Sequence, residues 1–350
     1  MNLVVNGHSI FLILTICFLS SLFFVFVAKK IAEHVGALDI PNEREIHKKP
    51  IPLLGGLGIF LSFLLGYMLF APKTNLMLAI LISSFIIILL GIFDDLKPIK
   101  AKYKFIVHIL VASIMVFYGG LELREVSILG LNLNFDGFAP IITILIIVGT
   151  INAINLIDGL DGLCAGISSI YFATIAIIAV ILNKIGGLDI ILSLIMLGST
   201  LGFLVHNFPP AKIFMGDTGS TFLGLMISVI MLLGFKTVTI TSLIIPLLIL
   251  ALPILDTLFA IIRRTINKKP IGEPDKEHIH HQLLKKGFGT KKSLLLIYAT
   301  NILFSITSVF YAIGHHKETI ICYVLLLFIM LFLILKTNII FQHKEKKEKK

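Results

Sequence analysis

Long runs of apolar residues alternate with short polar segments along almost the whole chain. A helix needs about 20 residues to cross the ~30 Å hydrocarbon core of a bilayer. Eleven runs approach that length, and they cover roughly residues 9–28, 53–71, 76–93, 104–119, 139–157, 163–182, 189–206, 218–234, 240–262, 293–313 and 318–338. The pattern therefore predicts an all-α polytopic integral membrane protein with eleven transmembrane helices. Pro246 and Pro253 predict a kink in the ninth.

The composition agrees with this class, because 57% of the 350 residues are hydrophobic and only 14% are charged. Soluble globular proteins carry about 25% charged residues. We expect one integral membrane domain over residues 1–340 and a basic tail over 341–350. Basic residues follow the first run at Lys29-Lys30 rather than precede it, so this run is predicted to be a retained helix and not a cleaved signal peptide. The three cysteines lie in apolar runs and predict no disulfide framework.

Basic residues are distributed unequally between the two sides that eleven crossings define. Twenty-five Lys and Arg residues fall on one side and five on the other. The positive-inside rule makes the basic side cytoplasmic, with the N-terminus outside and the C-terminal tail inside. The net charge of +10 then reflects orientation and attraction to anionic membrane lipid, and predicts no nucleic-acid binding.

One segment between the fifth and sixth runs carries polar residues that a plain membrane helix would not need. It reads Ile151-Asn-Ala-Ile-Asn-Leu-Ile-Asp-Gly-Leu-Asp-Gly162. Asn152 and Asn155 are three residues apart and share a helix face, and Asp158 and Asp161 follow beside glycines. Unpaired polar groups are costly in an apolar environment, and ionisable groups near lipid are usually functional. The segment predicts the polar end of a membrane helix that opens into a site.

Two further acidic clusters lie on the same predicted face. Adjacent Asp94 and Asp95 end the third run and are followed by lysines that include Lys104. A solvated helix end with positive-inside lysines would explain this cluster equally well. Phe214 precedes Gly216-Asp-Thr-Gly-Ser220, where Asp217 is predicted near the start of a helix whose free N–H groups favour phosphate.

The longest cytoplasmic loop contains Arg264 and the histidines His278, His280 and His281. Positions i, i+2 and i+3 do not share a helix face and no cysteine joins them, so a zinc site is disfavoured. Histidine together with arginine more often binds phosphates or carboxylates. An earlier loop contains Arg44 and His47, whose spacing does not separate a ligand contact from a polar interfacial loop.

Together these clusters place carboxylates and cations on one membrane face. Grouped carboxylates predict a hard metal ion, Mg²⁺ with Mn²⁺ as the alternative, that holds a polyphosphate. A site of this kind at the membrane surface indicates one lipid-borne substrate and one soluble nucleotide.

The chain resembles the polyprenyl-phosphate N-acetylhexosamine-1-phosphate transferases from Asp39 to about Phe288. Four motifs carry the resemblance in order: Asp94-Asp95, the Asn-x-x-Asn-x-x-Asp-Gly-x-Asp-Gly stretch at 152–162, the Gly-Asp-x-Gly-Ser stretch at 216–220, and the histidines at 278–281. Ile279 interrupts the histidines and Gln282-Leu283 follow them. This order resembles the branch that uses UDP-N-acetylglucosamine.

The resemblance implies that undecaprenyl phosphate attacks the β-phosphorus of UDP-N-acetylglucosamine and releases UMP, as the first membrane step of cell-envelope polysaccharide synthesis. It implies a multi-pass protein of the inner (plasma) membrane, with its active site on the cytoplasmic face. Asp217 and Asp95 would hold the metal, and the catalytic carboxylates would be Asp94, Asp95, Asp158 and Asp161. The substrate-binding residues would be Arg44, His47, Lys104, Asn152, Asn155, Phe214, Arg264, His278, His280 and His281, with Phe214 stacked on uracil.

Several alternatives stay open at this point. The donor could instead be UDP-N-acetylmuramoyl-pentapeptide or another N-acetylhexosamine nucleotide, and a covalent aspartyl-phosphate could replace direct displacement. A homodimer is an alternative to a monomer. From a different class, an ion-coupled transporter predicts acids near the bilayer midplane and repeated halves. A purely structural scaffold would leave the four motifs unexplained.

Overall fold

The apolar runs fold into helices, and the polar segments between them form turns and three short hairpins. The computed structural model describes residues 4–40, 50–128, 131–182, 186–236, 245, 249–266 and 278–336. Within these residues there are twelve α-helices. They are α1 Ile10–Val35, α2 Gly55–Phe70, α3 Asn75–Leu96, α4 Ala101–Ser113, α5 Ala139–Leu156, α6 Leu163–Ile181, α7 Leu188–Asn207, α8 Gly216–Lys236, α9 Ala251–Ile266, α10 Ile279–Lys285, α11 Thr290–Ala312 and α12 His316–Lys336. A π-helical turn, Ile114–Tyr118, continues α4.

The hairpins are antiparallel and each has two strands. Strands β1 (Val4–Val5) and β2 (His8–Ser9) precede α1. Strands β3 (Leu38–Asp39) and β4 (Ile51–Pro52) pair Asp39 with Ile51 beside the site described below. Strands β5 (Glu125–Ile128) and β6 (Leu131–Asn134) pair Val126 with Leu133 between α4 and α5.

The predicted class is confirmed, since the protein is a mostly helical, multi-pass membrane protein. In the described part of the chain, eight helices are long and apolar enough to cross a membrane. Helix α2 is apolar but shorter. The ninth predicted run is described as a helix only from Ala251, and Pro246 lies outside the described residues. Arg44, His47 and the tail at 341–350 also lie outside them.

The core is formed by α6, α7 and α8, which the other helices surround. Of the most apolar stretch of α8, 89% is buried inside the protein, against 28% for α1 and 33% for the helical segment that contains α5. Helix α8 packs against α3 and α5, and α7 packs against α1 and α6. The exposed apolar residues of the outer helices are those that would face lipid.

Small residues allow very close approach at the start of α8. A Cβ atom placed on Gly56 of α2 would lie 2.1 Å from the backbone nitrogen of Gly219. A Cβ atom on Gly91 of α3 would lie 2.3 Å from the Cα atom of Thr218. Backbone-to-backbone contact of this kind is typical of membrane helix packing. It fixes the first turn of α8 between α2 and α3.

Buried serines link α1, α2 and α7 by hydrogen bonds. The Ser62 hydroxyl lies 2.9 Å from that of Ser199 and donates to the Cys17 carbonyl at 2.7 Å. The Ser21 hydroxyl donates to the Ser199 carbonyl at 2.6 Å. These bonds satisfy groups that would be costly to leave unpaired in an apolar core. Cys17, Cys164 and Cys322 are free.

Candidate active site

The end of α3 is bonded to the start of α8 through Asp95. Its Oδ1 atom accepts the backbone N–H of Asp217 at 2.7 Å. Its Oδ2 atom accepts the backbone N–H of Thr218 at 3.2 Å and the Thr218 hydroxyl at 2.6 Å. The free N–H groups at a helix start are normally capped by a nearby residue of the same chain segment. Here a carboxylate from another helix occupies the position that the sequence suggested for phosphate.

Lys104 of α4 joins the two other carboxylates at this point. Its Nζ atom lies 3.1 Å from Asp94 Oδ2 and 2.6 Å from Asp217 Oδ2. Asp94 Oδ1 also accepts the backbone N–H of Ile99 at 2.6 Å. The ammonium group therefore offsets the repulsion between two carboxylates from different helices.

Asn155 connects the polar end of α5 to the same place. Its Nδ2 atom donates to Asp217 Oδ1 at 3.0 Å and to Ser220 Oγ at 2.9 Å. Asn152, one turn earlier, instead donates to the Val148 carbonyl at 2.7 Å. The two asparagines share a helix, but only Asn155 reaches Asp217 among the bonds of the described residues.

The loop between α5 and α6 brings Asp158 close to these groups. Burial, followed by the charges of Asp217, Asp95 and Asp161, raises the pKa of Asp158 to about 8. Asp94, Asp95, Asp158 and Asp217 are called the carboxylate cluster below.

Asp161 has a different environment from Asp158. Its Oδ2 atom accepts the backbone N–H of Ala211 at 2.9 Å. Nearby, Asn207 accepts the Gly162 N–H at 2.9 Å and donates to the Ile213 carbonyl at 2.9 Å. Asp161 and Asn207 therefore bind the loop after α5 to the segment that leads into α8.

Phe214 is held by its backbone next to this segment. Its N–H donates to the Pro52 carbonyl at 2.8 Å, and its carbonyl accepts the Gly55 N–H at 2.9 Å. The loop that precedes α2 and the loop that precedes α8 thus form one wall, which presents Phe214 to the cavity described below.

The histidines lie at the start of α10, and residues 278–281 are called the histidine segment below. The rings of His278 and His280 are parallel at 2°, with centroids 5.8 Å apart. His280 is 2% exposed and packs on Gly159, where an added Cβ atom would lie 2.5 Å from its Nε2 atom. Burial, followed by the charge of His281, lowers the pKa of His280 to about 3. Burial beside Gly159 therefore favours the neutral form of the His280 ring.

A cavity of about 1010 Å³ opens beside the carboxylate cluster. The acidic and polar part of its lining, called the acidic wall below, consists of Asp95, Asn155, Asp158, Asp161 and Asp217. The basic part of its lining, called the basic wall below, consists of His281, Lys291 and Lys292 with Gly289 and Thr290. Phe214, Pro209 and Pro210 also line the cavity. The volume and the presence of both acidic and basic groups suit a ligand that carries several phosphate groups and a ring.

The structure therefore gathers some predicted site residues and separates others. Lys104 lies within hydrogen-bond distance of both Asp94 and Asp217. The described residues Asn152, Arg264, His278 and His280 do not line this cavity. The role of each residue stays a prediction. Arg264 is buried at the end of α9.

Lys291, Lys292 and Asp256 are not among the predicted site residues. Lys291 and Lys292 were counted only as topology signals, although they line the cavity. Asp256 lies within the ninth apolar run, and its carboxylate binds His278. A charged residue inside an apolar run was the signal that could have identified Asp256.

The side chains of the site can be assessed as ligands for a metal ion. Among the described residues, no group of three or more His, Cys, Asp or Glu side chains could hold a metal ion by itself. Mg²⁺ is usually bound by one or two carboxylates together with substrate phosphates and water. Asp94 and Asp217 already bind one cation between them, the Lys104 ammonium group. The donor set therefore fits a hard cation that is shared with a phosphate-bearing ligand.

Comparison with known proteins gives a consistent result. Residues 77–235 match the glycosyl transferase family 4 profile. The chain is 45% identical over 287 residues to a probable undecaprenyl-phosphate N-acetylglucosaminyl 1-phosphate transferase of Bacillus subtilis (strain 168), covering 81% of this chain and 79% of the relative. It is 33% identical to an undecaprenyl-phosphate alpha-N-acetylglucosaminyl 1-phosphate transferase of Haemophilus influenzae, covering 81% of each. It is 32% identical to a decaprenyl-phosphate N-acetylglucosaminephosphotransferase of Mycobacterium tuberculosis, covering 77% of this chain and 74% of the relative.

Proposed function

Because this chain belongs to glycosyl transferase family 4, we propose that it transfers N-acetylglucosamine 1-phosphate from UDP-N-acetylglucosamine to undecaprenyl phosphate. The products are undecaprenyl-diphospho-N-acetylglucosamine and UMP. The relatives from Bacillus subtilis and Haemophilus influenzae are named as undecaprenyl-phosphate N-acetylglucosaminyl 1-phosphate transferases, which supports the acceptor and the transferred group. The single observation that carries the proposal is the cavity with one acidic and one basic wall next to Lys104 and Asp217.

The acidic wall suits the binding of the metal ion on which the proposed reaction depends. We propose that Asp217 holds Mg²⁺, or Mn²⁺ in its place, with help from Asp94 or Asp95. When bound, such a cation neutralises charge on diphosphate oxygens. Asn155 and Lys104 orient the Asp217 carboxylate by bonds to its two oxygens, at 3.0 and 2.6 Å. Asp95 holds the backbone of Asp217 in place.

The basic wall suits the anionic substrates. His281, Lys291 and Lys292 line the same cavity as the carboxylates. Protonated lysines there would attract the donor diphosphate by charge-assisted hydrogen bonds. Phe214 offers a ring on which uracil can stack. These groups position the donor so that its β-phosphorus faces the acceptor.

In the transfer itself, an oxygen of the lipid phosphate forms a bond to the β-phosphorus of the donor. The bond from the β-phosphorus to the bridging oxygen breaks, and UMP leaves with the electron pair. A phosphate monoester has its second pKa near ~6, so the acceptor is mostly a dianion at neutral pH and needs no strong base. Positioning and charge neutralisation then supply most of the catalysis. This favours direct displacement over an aspartyl-phosphate intermediate.

The proposed setting is the inner (plasma) membrane, with eleven transmembrane helices, the N-terminus outside and the active site on the cytoplasmic face. The distribution of 25 basic residues against five supports this orientation. A single cysteine at position 275, in a chain that lacks Cys17, Cys164 and Cys322, tests it. An impermeant thiol reagent should label this cysteine in inverted membrane vesicles and not in intact cells. Labelling in intact cells would contradict the orientation.

The reaction is tested with purified protein, labelled UDP-N-acetylglucosamine and undecaprenyl phosphate. We expect a labelled lipid product and an equal amount of UMP. UDP-N-acetylmuramoyl-pentapeptide at equal concentration should give little product, because a site that hydrogen-bonds one sugar leaves polar groups unpaired with another. A dominant muramoyl-pentapeptide lipid would contradict the donor assignment. Absence of any UMP with either donor would contradict the reaction class.

A further inference from the structure

A buried carboxylate on α9, that of Asp256, contacts the histidine segment. Asp256 is 4% exposed and does not line the cavity. Its Oδ2 atom lies 2.9 Å from His278 Nδ1, and its Oδ1 atom accepts the backbone N–H of Ile279 at 3.0 Å. Ile279 is the first residue of α10. One carboxylate thus binds both a histidine ring and the start of the helix that follows it.

These two bonds bear on which ring nitrogen of His278 carries a hydrogen. An ionised carboxylate can only accept hydrogen bonds. Where Asp256 is ionised, the hydrogen between Asp256 and His278 belongs to His278 Nδ1. Carboxylates that hold a histidine in this way fix its tautomer and its ring orientation.

The effect of Asp256 extends to the cavity through a row of ring contacts. His278 stacks on His280, and the ring centroids of His280 and His281 are 4.2 Å apart. His280 also packs on Gly159, which lines the cavity together with His281. A shift at His278 would therefore change the position of His281 relative to the carboxylate cluster.

We propose that Asp256 is a positioning residue for the transfer reaction, which sets the tautomer of His278 and the start of α10 and thereby places His281 in the cavity. This inference rests on the proposed function for its kinetic part. Its structural part, the hydrogen on His278 Nδ1, does not depend on the reaction.

The kinetic test compares Asp256→Asn with Asp256→Glu. Asparagine keeps the shape of the side chain, and its oxygen can still accept the backbone N–H of Ile279. Its NH₂ group would then face His278 Nδ1, where two hydrogens would clash. We expect kcat/KM for UDP-N-acetylglucosamine to fall about 10- to 100-fold in Asp256→Asn, by analogy with the loss of carboxylates that orient metal-bound histidines. Asp256→Glu keeps the acceptor and should recover part of that loss.

A matched control comes from Asn301 of α11, which is buried and donates to the Ile249 carbonyl at 2.8 Å, just before α9. Asn301→Ala removes a buried hydrogen bond near the same helix without touching His278. It should lower the melting temperature but leave kcat/KM within about twofold of the wild type. An equal loss of activity in Asn301→Ala and Asp256→Asn would show that Asp256 acts only through stability and would overturn the inference.

The spectroscopic test uses ring ¹⁵N shifts of labelled histidine, with the His278 signal identified by its loss in His278→Gln. The wild type should carry hydrogen on Nδ1, and Asp256→Asn should move it to Nε2. A wild-type Nδ1 without hydrogen would overturn the inference, even where Asp256→Asn fails to fold. If the wild type released no UMP, the proposed function would fail, while the wild-type spectrum would still decide the state of His278. Unchanged kinetics in a folded Asp256→Asn enzyme would also overturn the inference.

Discussion

The carboxylate cluster and the histidine segment both contribute residues to the same cavity, but they are held in different ways. The cluster consists of charges that neutralise each other at short range, as with Lys104 between Asp94 and Asp217. The histidine segment is a group of three rings, two of them buried, and one carboxylate, Asp256, holds the His278 ring. The cluster should therefore respond to changes of charge, and the histidine segment should respond to changes of shape.

The largest expected effect comes from removing a charge in the carboxylate cluster. Asp217→Asn removes the carboxylate that both Lys104 and Asn155 orient. Transfer should fall by about 10³-fold or more, at the upper end for loss of one electrostatic group, and added Mg²⁺ should not restore it. UMP release measures the effect, and the exposed Asp136→Asn serves as the isosteric control. Near-normal turnover in folded Asp217→Asn would remove Asp217 from the proposed metal site.

A second change tests the cation that the cluster shares. Lys104→Met leaves Asp94 and Asp217 without their common ammonium group. We expect UMP release to fall about 100-fold and the free energy of unfolding to fall by about 1–3 kcal/mol. Lys102→Met is the matched control, since Lys102 is exposed and lies over the Tyr103 ring at 4.9 Å. Equal effects of the two substitutions would contradict the role given to Lys104.

A third change tests shape on the histidine side. In Gly159→Ala the new methyl group would lie 2.5 Å from His280 Nε2, so the ring must move. The kcat/KM should fall about 10- to 100-fold, because small displacements at an active site are costly. In an His280→Ala background the same substitution should change kcat/KM by less than about twofold. Gly149→Ala, where the methyl group meets nothing within 4 Å, is the control.

The smallest effect concerns the dependence of stability on pH. The pKa of Asp158 is about 8 in the folded protein, against about 3.9 for an unfolded aspartate. Between these values the folded protein keeps a proton that the unfolded chain has lost. The free energy of unfolding should therefore fall as the pH rises from about 4 to about 8. Thermal unfolding without added metal should show this slope in the wild type and a smaller slope in Asp158→Asn; equal slopes would contradict the raised pKa.

The helices and the family could be predicted from the sequence because apolar length and motif order are local signals. Each predicted run corresponds to a helix where the structure describes it, and the family assignment is confirmed. The partners of each polar side chain could not be predicted, because they come from other helices. Both oxygens of Asp95, a predicted metal ligand, bind the start of α8, and no local pattern in the sequence indicates this contact between helices. The spacing of His278, His280 and His281 gave no indication that only His281 lines the cavity.

The close packing at the start of α8 has a consequence for how the enzyme works through its cycle. Gly56 and Gly91 leave no space for even a methyl group against the first turn of α8, so Asp217 sits on a rigid base. Turnover requires a large donor to enter and UMP to depart, and a rigid base cannot open to let them pass. Lys291 and Lys292, which also line the cavity, are exposed. We therefore expect the movement that product release requires to involve these residues rather than the base that carries Asp217.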